Sequence, residues 1–244
     1  MIETTRGIVL RSVKYGESSL ISSIFTRTYG VQSYMVQGIR TTRSRHNKAG
    51  LLQPAALLDL VVYQKPHGGL QRIRDMQFAH IYTRMQEDIV RNSIALFSVE
   101  LLLRLLPEHA PQPELFDLAT HYFVQLDRMP IEGIANFPLY FLVECGRCLG
   151  YGIRGEYSLQ TPYLNLHEGA YTSAPPVIQP FVEEGAARAL SLLSKLETAE
   201  RSGEILMNAG MRFGLVEWYI SFLQRHTQHM GAIRSLQILQ MILH

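Results

Sequence analysis

The feature that most constrains this chain is a change in the spacing of its apolar residues near residue 80. Up to that point short runs of β-formers are cut by glycines, at 7–14, 20–26, 31–37, 57–64 and 70–76. Turn signals separate them at Tyr15-Gly16, Tyr29-Gly30 and Gly68-Gly69. In the third run Val31, Ser33 and Met35 fall on one face and Gln32, Tyr34 and Val36 on the other, the period of two that a half-buried strand requires. From residue 80 the period becomes about 3.6, the helical repeat. One long or two broken helices are expected over 82–106, and further helices over 114–126, 135–149, 180–196, 204–225 and 232–243. The irregular stretch 153–176 holds Tyr163–Leu166 and Ala170–Thr172 around His167-Glu168-Gly169, the pattern of a small hairpin.

Five short strands with the longest insertion between the third and fourth suit a small closed barrel of the oligonucleotide-binding (OB) type, in which closure removes exposed edges. The expected fold is α+β. An N-terminal five-stranded OB-type β-barrel over 1–79 is followed by a mainly α-helical domain over 80–244, with a small β-hairpin inserted at about 153–176. A chain of 244 residues is long enough for a substantial core in either arrangement.

Charge is distributed unevenly between these parts. Residues 1–80 hold eleven Lys/Arg against four Asp/Glu, a net +7, and the remainder carries −5. Arg40, Arg43, Arg45 and Lys48 fall within nine residues, and no acid lies between Glu17 and Asp59. Clustered cations without counter-ions repel one another and become favourable when a polyanion arrives. A solvated basic loop has the same composition. Tyrosines interleaved with the cations (Tyr15, Tyr29, Tyr34 and Tyr63) strengthen the nucleic-acid reading, because a single-strand surface needs cations along the backbone and flat rings under the bases. The candidate DNA-binding residues are Arg40, Arg43, Arg45 and Lys48, then Lys14, Arg72 and Arg74, with Tyr34 as a stacking ring. Arg72 and Arg74 share a strand face with Leu70.

Signals for catalysis are missing. The sequence has no Gly-x-x-x-x-Gly-Lys-Ser/Thr loop, no Gly-x-Ser-x-Gly elbow and no His-Glu-x-x-His. Cys145-Gly146-Arg147-Cys148 has the spacing of half a zinc site, but the chain has two cysteines only, and the pair lies inside a helical apolar pattern. His226 and His229 sit near a helix end, where histidine complements the dipole. The most apolar stretch, 94–106, is too short and too charged to span a bilayer, and the N-terminus lacks a signal peptide, so a cytoplasmic protein is expected. Two classes stay open on the residues alone: a DNA-binding mediator, or an adaptor whose helical domain binds proteins and whose DNA affinity is weak.

With these residues in view, the chain resembles the RecO family of bacterial recombination and repair proteins. The landmarks are Gly7-Ile8-Val9-Leu10-Arg11-Ser12, Tyr15-Gly16-Glu17-Ser18, Phe25-Thr26-Arg27-Thr28-Tyr29-Gly30, Gly38-Ile39-Arg40, Ser44-Arg45, Leu52-Gln53-Pro54 and Gly68-Gly69, in that order. Leu149-Gly150-Tyr151, His167-Glu168-Gly169 and Ile233-Arg234-Ser235-Leu236 are weaker matches. The resemblance implies an OB-fold DNA-binding domain, a helical domain and no enzymatic turnover. It implies binding of single- and double-stranded DNA, annealing of complementary strands in the nucleoid, and loading of the RecA recombinase with the partner RecR. It also implies binding of the acidic C-terminal tail of single-strand-binding protein (SSB) by the helical domain, to which no residues are assigned. Many members carry a four-cysteine zinc site that this chain lacks: residues 155–163 and 170–176 contain no cysteine. No metal and no cofactor are expected. Packing of Tyr163, Leu164, Leu166 and Tyr171 is expected to hold the hairpin instead.

Overall fold

The computed structural model of the chain describes residues 1–37, 48–64, 69–227 and 230–243. Five strands, β1 (Ile2–Tyr15), β2 (Ser19–Thr26), β3 (Gly30–Val36), β4 (Leu57–Tyr63) and β5 (Gln71–His80), close into a barrel of order β1-β2-β3-β5-β4. Closure depends on β1, which is long enough to serve two neighbours. Its first half pairs with β4, from Ile2↔Tyr63 to Ile8↔Leu57, and its second half with β2, from Gly7↔Thr26 to Tyr15↔Ser19. The register slips between Val9 and Arg11, so Leu10 is the extra residue of a bulge. A bulge bends a strand and re-aims the side chains beyond it. Here Ile8, Val9 and Leu10 are all buried in succession. The remaining seam, β3 to β5, is parallel and short, with Tyr34↔Gln71 and Met35↔Arg72.

The barrel interior is filled by Val9, Ile24, Tyr34, Val36, Leu58, Leu60 and Val62, with Leu52 joining from just beyond the short helix α1 (Lys48–Leu51). Each of these large side chains contributes roughly 1.5–3 kcal/mol by leaving water. The Ser12 hydroxyl fixes the helix end by donating to the Leu52 carbonyl at 2.9 Å.

The chain separates into two compact units. One is Met1–Thr83 with Leu106–Val124, the other Arg84–Leu105 with Gln125–His244. A division at 79/80 was expected, and these units depart from it at residues 106–124, which group with the barrel. The physical reason is the start of α3 (Pro113–Arg128): Phe116 meets Phe25 edge-to-face at 5.4 Å, and Asp117 accepts two bonds from the Arg27 guanidinium at 2.8 and 2.9 Å.

The second unit is helical. Its centre is α4 (Phe137–Cys148), buried from Phe137 to Gly146, with α2 (Ile89–Leu105) and α6 (Ala209–His226) packed on it. A helix with no polar face can persist only when neighbours cover it on all sides. The helix α7 (Ser235–Ile242) packs on α2. The hairpin forms as expected, β6 (Tyr163–Asn165) with β7 (Ala170–Thr172), and Leu164 and Leu166 are buried beneath it. A third strand, β8 (Phe181–Val182), pairs with β6 and was not expected. It takes the place of the first turn anticipated for the helix over 180–196, so that α5 starts at Glu184 and ends at Leu193. Similarly α2 begins at Ile89, not at residue 82, because Asp88 caps it: its Oδ1 accepts from Val90 and Arg91 N–H at 2.9 and 3.1 Å.

Candidate nucleic-acid interface

Residues directly opposite one another on paired strands face the same side of a sheet. Following the register across the barrel therefore gives one outward row: Val13↔Ile21, Ile21↔Met35, Met35↔Arg72 and Arg72↔Tyr63. Four inter-strand steps of about 4.8 Å make this row roughly 19 Å long along the curved sheet. Ile21 and Met35 are half-buried and Arg72 is exposed, while Tyr63 is 43% and Val13 39% exposed. Tyr15, two residues beyond Val13 on the same face, is 54% exposed. The bulge at Leu10 creates this surface. Without it, Arg11, Val13 and Tyr15 would alternate toward the interior.

The cations around the row divide by whether a carboxylate holds them. Arg6 pairs with Asp59 at 3.2 Å and Arg27 with Asp117, whose carboxyl is drawn below its ordinary range chiefly by that hydrogen bond. Among the described residues Arg11, Lys14, Arg72 and Arg74 have no acidic partner, and all four are exposed. Arg72 stands in the outward row. Arg74 is the extra residue where the β4–β5 register slips between Val61 and Val62, so Asp75, not Arg74, takes the next paired position. Both arginines edge a hollow of about 180 Å³ at the β3–β5 seam, together with Met35 and Gln37. Lys14 is opposite Leu20, itself opposite Val36, and so lies at the mouth of the barrel, not in the row.

Three of the candidate cations, Arg40, Arg43 and Arg45, lie outside the described residues, and Lys48 opens α1. Tyr34 is a correction. Its ring is 0% exposed inside the barrel, and its hydroxyl is 3.3 Å from Gln32 Oε1, to which it donates. Burial raises the phenol above its ordinary pKa. A ring with no free face cannot stack on a base; among the described tyrosines of the barrel, Tyr63 and Tyr15 are the exposed ones. Arg11, absent from the sequence-based candidates, joins the exposed set because the Leu10 bulge turns it outward, a displacement that alternation alone does not reveal.

Elsewhere, Cys145 is fully buried in α4, where burial pushes its thiol pKa up, and Cys148 at the helix end is half-buried. His226 packs on Phe222 with ring centroids 4.6 Å apart; His229 lies outside the described residues. Among the described residues no three His, Cys, Asp or Glu side chains gather to hold a metal, and no helix is long and apolar enough to cross a membrane.

A five-stranded OB barrel followed by helices and a small sheet defines an α+β protein of the OB-fold class. Comparison with known proteins narrows this. The family model described as Recombination protein O N terminal matches residues 1–82, and that described as Recombination protein O C terminal matches 86–236. The chain belongs to the RecO family. It is 30% identical over 247 residues to the DNA repair protein RecO of Bacteroides fragilis, covering 98% of each chain. Identity to the protein of the same name from Phocaeicola vulgatus is 29% over 196 residues, covering 80% of each. For Exiguobacterium sibiricum it is 33% over 144 residues, covering 59% of this chain and 55% of that one.

Proposed function

We propose that the chain is a non-catalytic DNA repair and recombination mediator that holds single strands on the outer face of its barrel. It anneals complementary strands, and with RecR helps RecA load onto SSB-coated DNA. The observation that carries this reading is the outward row Val13–Ile21–Met35–Arg72–Tyr63, flanked by cations with no carboxylate of their own among the described residues. The face made by the second and third strands, with the loops after the first and fourth, is where OB barrels bind oligonucleotides. Tyr15 and Tyr63 precede those two loops.

The chemistry is charge neutralisation with stacking. Each phosphate met by Lys or Arg releases a condensed counter-ion, so binding gains entropy at low salt and weakens as salt rises. Two strands neutralised on one protein approach each other against less mutual repulsion, which is the physical requirement for annealing. Exposed rings hold bases through their π-faces without selecting a sequence. The basic stretch with Arg40, Arg43, Arg45 and Lys48 belongs to the same proposal, on its sequence alone.

Annealing of complementary fluorescent oligonucleotides coated with SSB tests it. The protein should accelerate duplex formation without magnesium or nucleotide. Alanine at Lys14, Arg72 and Arg74, and separately at Arg40, Arg43, Arg45 and Lys48, should each slow it while the thermal transition stays in place. Annealing unchanged in both variants would contradict the proposal.

A further inference from the structure

The helical unit carries an open groove of about 520 Å³ that the DNA-binding reading does not use. One wall is α6, through Met211, Leu215 and Trp218; the other is Phe181 and Val182 of β8. Two exposed carboxylates, Glu183 and Glu217, stand among its lining residues, and no Lys or Arg does among the described residues. Glu217 accepts a bond from Gln240 at 2.8 Å, and neither acid has a cationic partner among the described residues.

Two further features of the same groove are unexplained by packing within the chain. Gly214 lies in the middle of α6, where glycine weakens a helix relative to alanine. It is exposed, and a Cβ built on it would meet nothing within 4 Å. No neighbour among the described residues requires its small size, and its absence of a side chain keeps the groove open for another backbone to approach. Trp218 is 4% exposed and stacked on Phe222 at 5.9 Å, and its enclosed indole N–H has no acceptor among the described residues.

We infer that this groove docks a segment of a partner protein in which a bulky apolar side chain is flanked by Lys or Arg. The apolar walls accommodate the side chain, and the two carboxylates attract the flanking cations. The same carboxylates repel an acidic peptide. The occupant therefore differs in charge from the acidic SSB tail that the family resemblance implies, and it requires no DNA.

Trp218 is the chain's only tryptophan, so its emission reports on the groove directly. The probes are acetyl-Ala-Arg-Leu-Phe-Arg-Ala-amide and its twin with Glu in place of both Arg, titrated into the full chain without DNA. The basic peptide should change the emission saturably, and the acidic twin should not. Glu183→Gln with Glu217→Gln should weaken the basic peptide about fivefold, as two exposed ion pairs imply. Gly214→Leu should abolish binding while melting no lower than wild type, since the added side chain fills open space and favours the helix. Equal response to both peptides, no response to either, or undiminished binding in a folded Gly214→Leu protein would overturn the inference.

Discussion

Tyr34 and Tyr63 belong to one barrel, yet the pleat assigns them opposite tasks. Tyr34 is enclosed with Ile24 and Leu60, and Tyr63 stands outside beside Arg72. Truncating Tyr34 to alanine removes a fully buried ring and should cost about 3–5 kcal/mol in urea denaturation, the range for large-to-small core changes. Truncating Tyr63 or Tyr15 should leave the urea midpoint in place. Each should instead weaken single-stranded DNA by about 1–3 kcal/mol, the worth of one stacked base, measured by anisotropy. Equal DNA binding in the Tyr15→Ala, Tyr63→Ala double variant would remove stacking from the account. A second residue-scale test concerns Gly169, whose φ of +58° and close approach to Phe222 both demand glycine; a Cβ there would lie 2.6 Å from the Phe222 ring. Gly169→Ala should destabilise the helical unit by about 1–3 kcal/mol, read from its melting curve.

At the scale of elements, α7 is held by a carboxylate from α2. Glu100 accepts the Arg234 N–H at 3.0 Å, the Ser235 N–H at 2.8 Å and the Ser235 hydroxyl at 2.6 Å. Burial opposes its ionisation, but the bonds from Ser235 and Arg234 and the charge of Arg104 outweigh that, leaving the carboxyl below its ordinary pKa. A carboxyl with a lowered folded-state pKa contributes stability that is present at neutral pH and is lost as pH falls through that value. Glu100→Gln should therefore cost about 1–2 kcal/mol at pH 7, and its difference from wild type should shrink as the pH is lowered through the carboxylate range. A pH-independent difference would show that the charge is not what holds α7. Elements were legible in the sequence where their periodicity was local and long. β3 alternated cleanly, and the helical repeat over 135–149 gave α4. β8 was not legible, because two residues, Phe181 and Val182, are too few to show a period and Pro180 looks like a helix start. The first half of β1 was missed as well, since Ile2–Arg6 is a strand only through its distant pairing with β4.

For the whole molecule, the sequence carried the order of a barrel followed by helices and the excess of positive charge in the first eighty residues. It did not carry the grouping of residues 106–124 with the barrel, which rests on Phe25 meeting Phe116 and on Arg27 meeting Asp117, pairs roughly ninety residues apart. Nor did it separate the cations that carboxylates hold, Arg6 and Arg27, from Arg11, Lys14, Arg72 and Arg74. That separation is the centre of the functional account, because only charge left uncompensated in the fold is available to phosphate. The salt dependence of single-stranded DNA affinity measures it. If four or five cations engage the strand, log K should fall against log salt with a slope of roughly −3 to −4, at about 0.7 per phosphate, and Lys14→Ala with Arg72→Ala and Arg74→Ala should flatten that slope by about 2. A triple variant that keeps the wild-type slope and affinity would contradict the assignment of these uncompensated cations to DNA.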